Sequence, residues 1–209
     1  EMIGDDIGVG LVMDPSTGEV LALASEPSYN SNFQYLNMRD PEADKYDDIN
    51  VLYERRFQNT YSPGSIFKPV TAAIGIEEGV LDPAEELSIE GRRWQPEDNA
   101  AWGNYHVTRV SQAVSEVDLE TAMMRSDNIY FAQQALRIGD DSFEEWAEEL
   151  GFTEDFEFAF PLYVSSIAND GLSTPILLAD TGYGQGQLLV NPIHMSAMYS
   201  MFINGGDII

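Results

Sequence analysis

Between Ile66 and Ile76 nearly every residue is apolar, and the run is entered through Pro63-Gly64-Ser65 and left at Glu77-Glu78-Gly79. Such a stretch predicts a helix buried on most sides, with Pro63-Gly64 as its start and Gly79 as its stop. The rest of the chain has to build a core around it. At its start stand Ser65 and Lys68, three residues apart, a spacing that puts Cβ atoms about 5 to 6 Å apart on one helical face. A serine hydroxyl is a weak nucleophile, but a lysine desolvated in an apolar helix has a lowered pKa and can take the serine proton near neutrality. Free N–H groups at the helix start favour the oxyanion formed when serine attacks a carbonyl. Pro69 lacks a donor N–H, which is tolerable in the first turn.

A lone S-x-x-K is ordinarily a serine cap followed by a surface lysine. Here lysine occurs only as Lys45 and Lys68, so the pattern is expected by composition about 0.15 times.

The chain has 209 residues, enough for one sizeable core, and its 44% hydrophobic and 11% aromatic content is that of a globular domain. Thirty-six acidic residues outweigh 10 basic ones for a formal charge of −26. That balance argues against nucleic-acid partners and anionic membranes, which require basic patches. Without cysteine there is no disulfide, thiolate nucleophile or zinc-thiolate site. No run of 18 apolar residues and no basic leader is present, and a first residue other than Met suits a piece of a longer protein.

In chain order, Gly8 to Met13 and Glu19 to Ser25 flank Asp14-Pro15-Ser16-Thr17-Gly18, the signature of an antiparallel hairpin, here expected to be covered on both faces. Residues 26–50 read as a long polar connection. Glu90 to Arg109 carries Trp94, Trp102, Tyr105 and His106 among polar residues, a composition that suits a cleft wall; His106 and His194 lack metal-ligand spacing. Asp118 predicts a helix cap, Ile129 to Ile138 a helix ending at Gly139, and Ser142-x-x-Glu145 a capping box opening a further helix. Gly182-Tyr183-Gly184-Gln185-Gly186 matches no phosphate-binding loop and reads as a tight turn. Asn191-Pro192 opens a last helix with Met195, Met198 and Phe202 inward.

Ser126-Asp127-Asn128 sits between two of these helices and is expected by composition only about 0.07 times. It suits a helix junction. It also suits a site in which the Ser126 hydroxyl relays a proton and the Asn128 amide holds a substrate carbonyl. S-x-x-K and S-D-N belong, with K-T-G, to the motif set of penicillin-binding proteins and class A β-lactamases. On these motifs, on Met13-Asp14-Pro15-Ser16-Thr17-Gly18-Glu19-Val20-Leu21-Ala22, on Pro27 to Asn30, on Leu178-Ala179-Asp180 with the glycine turn, and on Asn191-Pro192, the chain resembles the transpeptidase domain of class B penicillin-binding proteins. Trp94, Trp102-Gly103-x-Tyr105 and Val107-Thr108-Arg109 look most like the low-affinity subgroup associated with methicillin resistance. K-T-G and K-S-G are absent from the sequence.

The resemblance implies an α/β fold of the penicillin-binding-protein and serine β-lactamase type, one domain over 1–209 that is incomplete at its C-terminal side. It implies a serine DD-transpeptidase acylated at Ser65 by peptidoglycan stem peptides and trapped by β-lactam antibiotics. Lys68, Ser126 and Asn128 would be the other catalytic residues and Tyr105 a substrate contact. No cofactor, metal or nucleic acid is implied; other cell-wall synthesis proteins would be partners, at the extracytoplasmic face of the bacterial membrane. The residues alone would act poorly without a third motif. A serine β-lactamase is the nearest rival, although Glu148-Glu149-Leu150-Gly151 fails its E-x-x-L-N element; a non-catalytic β-lactam sensor is the other.

Overall fold

The computed structural model describes residues 8–26, 56–98 and 100–209. The connection over 26–50, Lys45 and Pro27 to Asn30 therefore lie almost wholly outside the described residues. The chain forms two compact units: one of 1–61, 155–164 and 191–209, the other of 62–154 and 165–190.

In the first unit β1 (Gly8–Met13) pairs antiparallel with β2 (Val20–Glu26). Asp14 closes the turn, its N–H donating to Glu19 O at 2.8 Å and its carbonyl accepting from Gly18 N at 2.9 Å, with Gly18 at φ 72°. Between Val12 and Met13 the register skips Leu21, a bulge that breaks the in–out alternation. Leu21 and Val12 are accordingly exposed, and the expectation of two covered faces is corrected: a two-stranded ladder with a bulge has no apolar layer over that side.

α6 (Pro192–Ser200) completes the first unit and contacts β1. Asn191 caps it, Oδ1 accepting from Ile193 N at 2.9 Å, while Nδ2 donates to the carbonyls of Phe57, Gln58 and Asn59. Met195 and Met198 are buried. Phe202, expected inward, lies beyond the helix in a turn and is exposed, stacking edge-on to Tyr199. His194 is buried against Phe156.

The second unit is mostly helical. The run after Pro63 begins as a 3₁₀ turn, Gly64–Phe67, and continues as α1 (Lys68–Glu77) with Pro69 in its first turn. Phe67, Val70, Ala72 and Ile74 are buried, whereas Ile66 and Ile76 at the two ends are exposed, so burial is less complete than the apolar run suggested. α2 (Leu119–Arg125) is capped by Asp118, whose carboxylate accepts from Thr121 N at 2.8 Å. α3 (Asn128–Ile138) follows after two residues, with Asp127 as its cap.

α4 (Asp140–Glu149) has Gly139 as its cap, three residues before the expected cap Ser142. The Ser142 hydroxyl instead donates to Glu78, which also accepts from Trp146 Nε1 at 2.7 Å. α5 (Pro175–Thr181) was not anticipated, although Thr174-Pro175 is a cap followed by an N1 proline, and Thr174 Oγ1 does accept from Leu177 N. Two short ladders, β3 (Leu87–Ser88) with β6 (Glu116–Val117) and β4 (Arg93–Trp94) with β5 (Val107–Thr108), were also missed. Two-residue strands carry too little periodicity to read.

α3 is the centre of this unit, packed on α1 and α5. Ile129, Tyr130, Phe131 and Ala132 are fully buried and join Val107, Val117, Trp102 and Tyr183 in one core. Small residues permit the close approach to α5: a Cβ on Gly182 would lie 2.5 Å from the Ala135 Cβ and 2.7 Å from Phe131 O.

Candidate active site

Ser65, Lys68, Tyr105, Ser126 and Asn128 all lie in the second unit. Ser65 and Lys68 sit at i and i+3 across the 3₁₀ turn, a geometry in which such side chains eclipse. Lys68 is 2% exposed. Ser126 ends α2 in the left-handed region at φ 51°, ψ 51°, a conformation costly for a residue other than glycine, and Asp127 starts α3 at once. That sharp junction turns Ser126 and Asn128 toward Lys68.

The amine donates to Ser126 O at 2.8 Å, to Ser126 Oγ at 2.8 Å and to Asn128 Oδ1 at 2.7 Å, which uses all three ammonium donors. Ser126 Oγ in turn donates to Ser65 Oγ at 2.8 Å. Lys68 and Ser65 are expected in or near hydrogen-bond reach; the hydrogen bonds between them run through Ser126 Oγ. Asn128 Nδ2 donates to Thr108 O at 3.0 Å, leaving its second proton for another acceptor. Burial brings the Lys68 amine down to about 8, against the pull of the nearby Asp127 carboxylate. The Phe131 ring, 5.7 Å from Nζ, forms part of its apolar wall.

The glycine turn is fastened to the residues that precede Ser65. Gly64 N donates to Gly184 O at 2.8 Å and Ser62 Oγ donates to the same carbonyl at 2.9 Å. Gly184 has φ 82°, and a Cβ there would stand 1.9 Å from Gly64 O, so only glycine fits. The sequence suggested a tight turn but not its partner.

Tyr105 stands apart from this cluster in its hydrogen bonding. Its hydroxyl donates to Asp180 Oδ1 at 2.5 Å and lies 3.3 Å from the Tyr183 hydroxyl, which also donates to Asp180; its ring packs on Trp102 at 6.0 Å. Burial, then the carboxylate, raises the pKa of both tyrosines. His106 bonds to Asn104 O and takes no part.

Arg109 was overlooked. It is 2% exposed, and its guanidinium reaches Asp127 Oδ2 at 2.9 Å, Gly91 O at 2.9 Å and Ile89 O at 2.7 Å. The available signal was the scarcity of cations, which made each arginine worth a partner search.

A hydroxyl bonded through a second hydroxyl to a buried lysine with a lowered pKa, on a mixed helix and sheet scaffold, is the layout of acyl-serine enzymes. Residues 8–209 match the family described as penicillin binding protein transpeptidase domain. The chain belongs to that family, as the transpeptidase domain of a class B penicillin-binding protein.

It is 47% identical over 206 residues to penicillin-binding protein 3 of Bacillus subtilis, covering 98% of this chain and 30% of that protein. It is 32% identical over 147 residues to the peptidoglycan D,D-transpeptidase MrdA of Acinetobacter baumannii, covering 69% of this chain and 21% of the relative. The chain thus spans a third or less of these relatives. Among solved structures, penicillin-binding protein A of M. tuberculosis, an imipenem acyl-enzyme complex, superposes with a TM-score of 0.78 at 25% identity, over 96% of this chain and 46% of that one. The expected α/β penicillin-binding-protein fold is what these structures share with the chain.

Proposed function

We propose that Ser65 is the nucleophile of a peptidoglycan D,D-transpeptidase, with Ser126 as proton relay and Lys68 as base. The observation that carries the reading is the chain Lys68 Nζ, Ser126 Oγ, Ser65 Oγ, two contacts of 2.8 Å that end on a desolvated amine. When the amine is neutral the hydrogen bonds reverse. Ser65 then gives its proton to Ser126 as Oγ attacks the penultimate D-alanine carbonyl, and Ser126 gives its own to Lys68.

Collapse of the tetrahedral intermediate breaks the C–N bond, and the same chain returns the proton to the departing D-alanine amine. An acceptor amine attacks the ester next, forms the cross-link and restores the Ser65 hydroxyl. The free Asn128 N–H suits a substrate backbone carbonyl, and the Ser65 N–H, in a first turn without an intrahelical acceptor, suits the oxyanion. In a β-lactam the broken C–N bond is part of the ring, so the amine stays tethered and the ester persists.

Further parts of the reading are Tyr105 as a wall of the substrate cleft, membership of the low-affinity subgroup, and a third motif on a strand outside residues 1–209. Stem peptides as substrate, other cell-wall synthesis proteins as partners and an extracytoplasmic site complete it. The names of the relatives support the substrate class.

The test is intact mass after incubation with benzylpenicillin. A gain equal to the whole penicillin, mapped to Ser65 by peptide digestion and absent in Ser65→Ala, is the expected result. Label elsewhere, or undiminished in Ser65→Ala, rejects the assignment.

A further inference from the structure

Asp127 lies between the two residues that Lys68 touches, and it is 3% exposed. One carboxylate oxygen caps α3, accepting from Ile129 N at 2.9 Å and Tyr130 N at 3.3 Å; the other receives Arg109 Nη1. Arg109 is itself held by two carbonyls of the connection between β3 and β4, Ile89 O and Gly91 O. Its neighbour Thr108 offers the carbonyl on which Asn128 Nδ2 rests. Thr108 and Arg109 thus grip both residues that follow the left-handed Ser126.

We propose that Arg109 is a positioning residue for this site: it clamps the Ser126-Asp127-Asn128 junction against Lys68 and balances the buried Asp127 charge that would otherwise hold Lys68 as an ammonium. The inference rests on the proposed role of Lys68 as base.

Its physical basis is the charge count around that amine. On the elements packed against α1, Arg125 and Glu120 of α2 are exposed to solvent, Arg137 of α3 is engaged with Glu85 at the far end, and Glu77 of α1 is exposed. Asp127 is the charge that raises the Lys68 pKa, opposing burial. Pairing with Arg109 makes the Asp127–Arg109 couple neutral as a unit. Removing the guanidinium takes away the cation that offsets the Asp127 carboxylate, whose field then favours the Lys68 cation. Fewer amines are neutral at a given pH.

The experiment is acylation by a fluorescent penicillin in the native full-length protein, followed in single turnovers from pH 6 to 10. Arg109→Met keeps the volume and loses the charge; its acid limb is expected to move upward by about half a unit or more. Arg109→Lys restores a cation and is expected to return the limb toward the wild-type position, with a slower plateau because an ammonium cannot hold three acceptors in one fork. Asp127→Asn is expected to move the limb downward. An unmoved limb in Arg109→Met, with only a lower melting temperature, overturns the inference. If Arg109→Met does not fold, an unmoved limb in Asp127→Asn overturns it equally. Failure of the wild type to acylate at Ser65 would instead reject the function proposed above.

Discussion

At the residue scale, Lys68 Nζ donates to Ser126 Oγ and Ser126 Oγ to Ser65 Oγ, an order set by the 3₁₀ turn, the left-handed Ser126 and the three amine hydrogen bonds. One consequence is a pH dependence with a definite sign. The proposed relay needs a neutral amine, so protonation of Lys68 below its value of about 8 would remove the acceptor. Acylation should fall about tenfold per pH unit well below 8 and level off above it, the limb expected of one titrating base. Lys68→Met should lower the acylation rate by about 10² to 10⁴ and abolish that limb. Ser126→Ala tests the relay itself: a loss of about 10² or more is expected, whereas a near-normal rate would return the proton path to a direct Ser65–Lys68 transfer.

At the element scale, helices with caps and long apolar patterns were readable: Asp118, Gly139 and Asn191 all stand at helix boundaries. What failed was local chemistry overridden by packing. Ser142 satisfies a capping pattern, yet its hydroxyl is drawn to Glu78 and the helix begins earlier. The glycine turn shows the same limit, since its shape was legible and its contact with Gly64 was not. That contact makes a prediction. Alanine at Gly184 needs both a left-handed backbone and room that Gly64 O occupies, so it should destabilise the domain by about 3 kcal/mol or more. Alanine at Gly79, where φ is 68° and a Cβ meets nothing within 4 Å, should cost only the backbone strain, about 1 to 2 kcal/mol. Urea midpoints at unchanged m would compare them. Equal losses would mean that the Gly184–Gly64 contact is not tight in solution. The Gly184 variant should also lose acylation rate when assayed still folded, because its strain falls on the turn that carries Ser65.

At the scale of the whole molecule, the described residues gather into two compact units, each built from separated stretches of chain. Such a return is invisible to any window of sequence; residues 155–164 and 191–209 carry no mark that sends them to the hairpin. Charge, by contrast, was fully legible, and −26 on 209 residues has a consequence for function as well as solubility. Like charges repel within the folded chain, and the same field repels carboxylate-bearing ligands on approach. The Debye length falls from about 10 Å at 0.1 M salt to about 3 Å at 1 M, which screens both effects. Raising sodium chloride over that range should therefore raise the urea midpoint and increase the second-order acylation rate constant for a penicillin with a free carboxylate. A penicillin esterified at that carboxylate lacks the charge and should show a much flatter salt dependence. The two ligands share the reactive ring, so the difference between their slopes isolates the field from any effect of salt on Ser65 or Lys68. Parallel slopes would show that local cations screen the entrance and that the global charge does not reach the site.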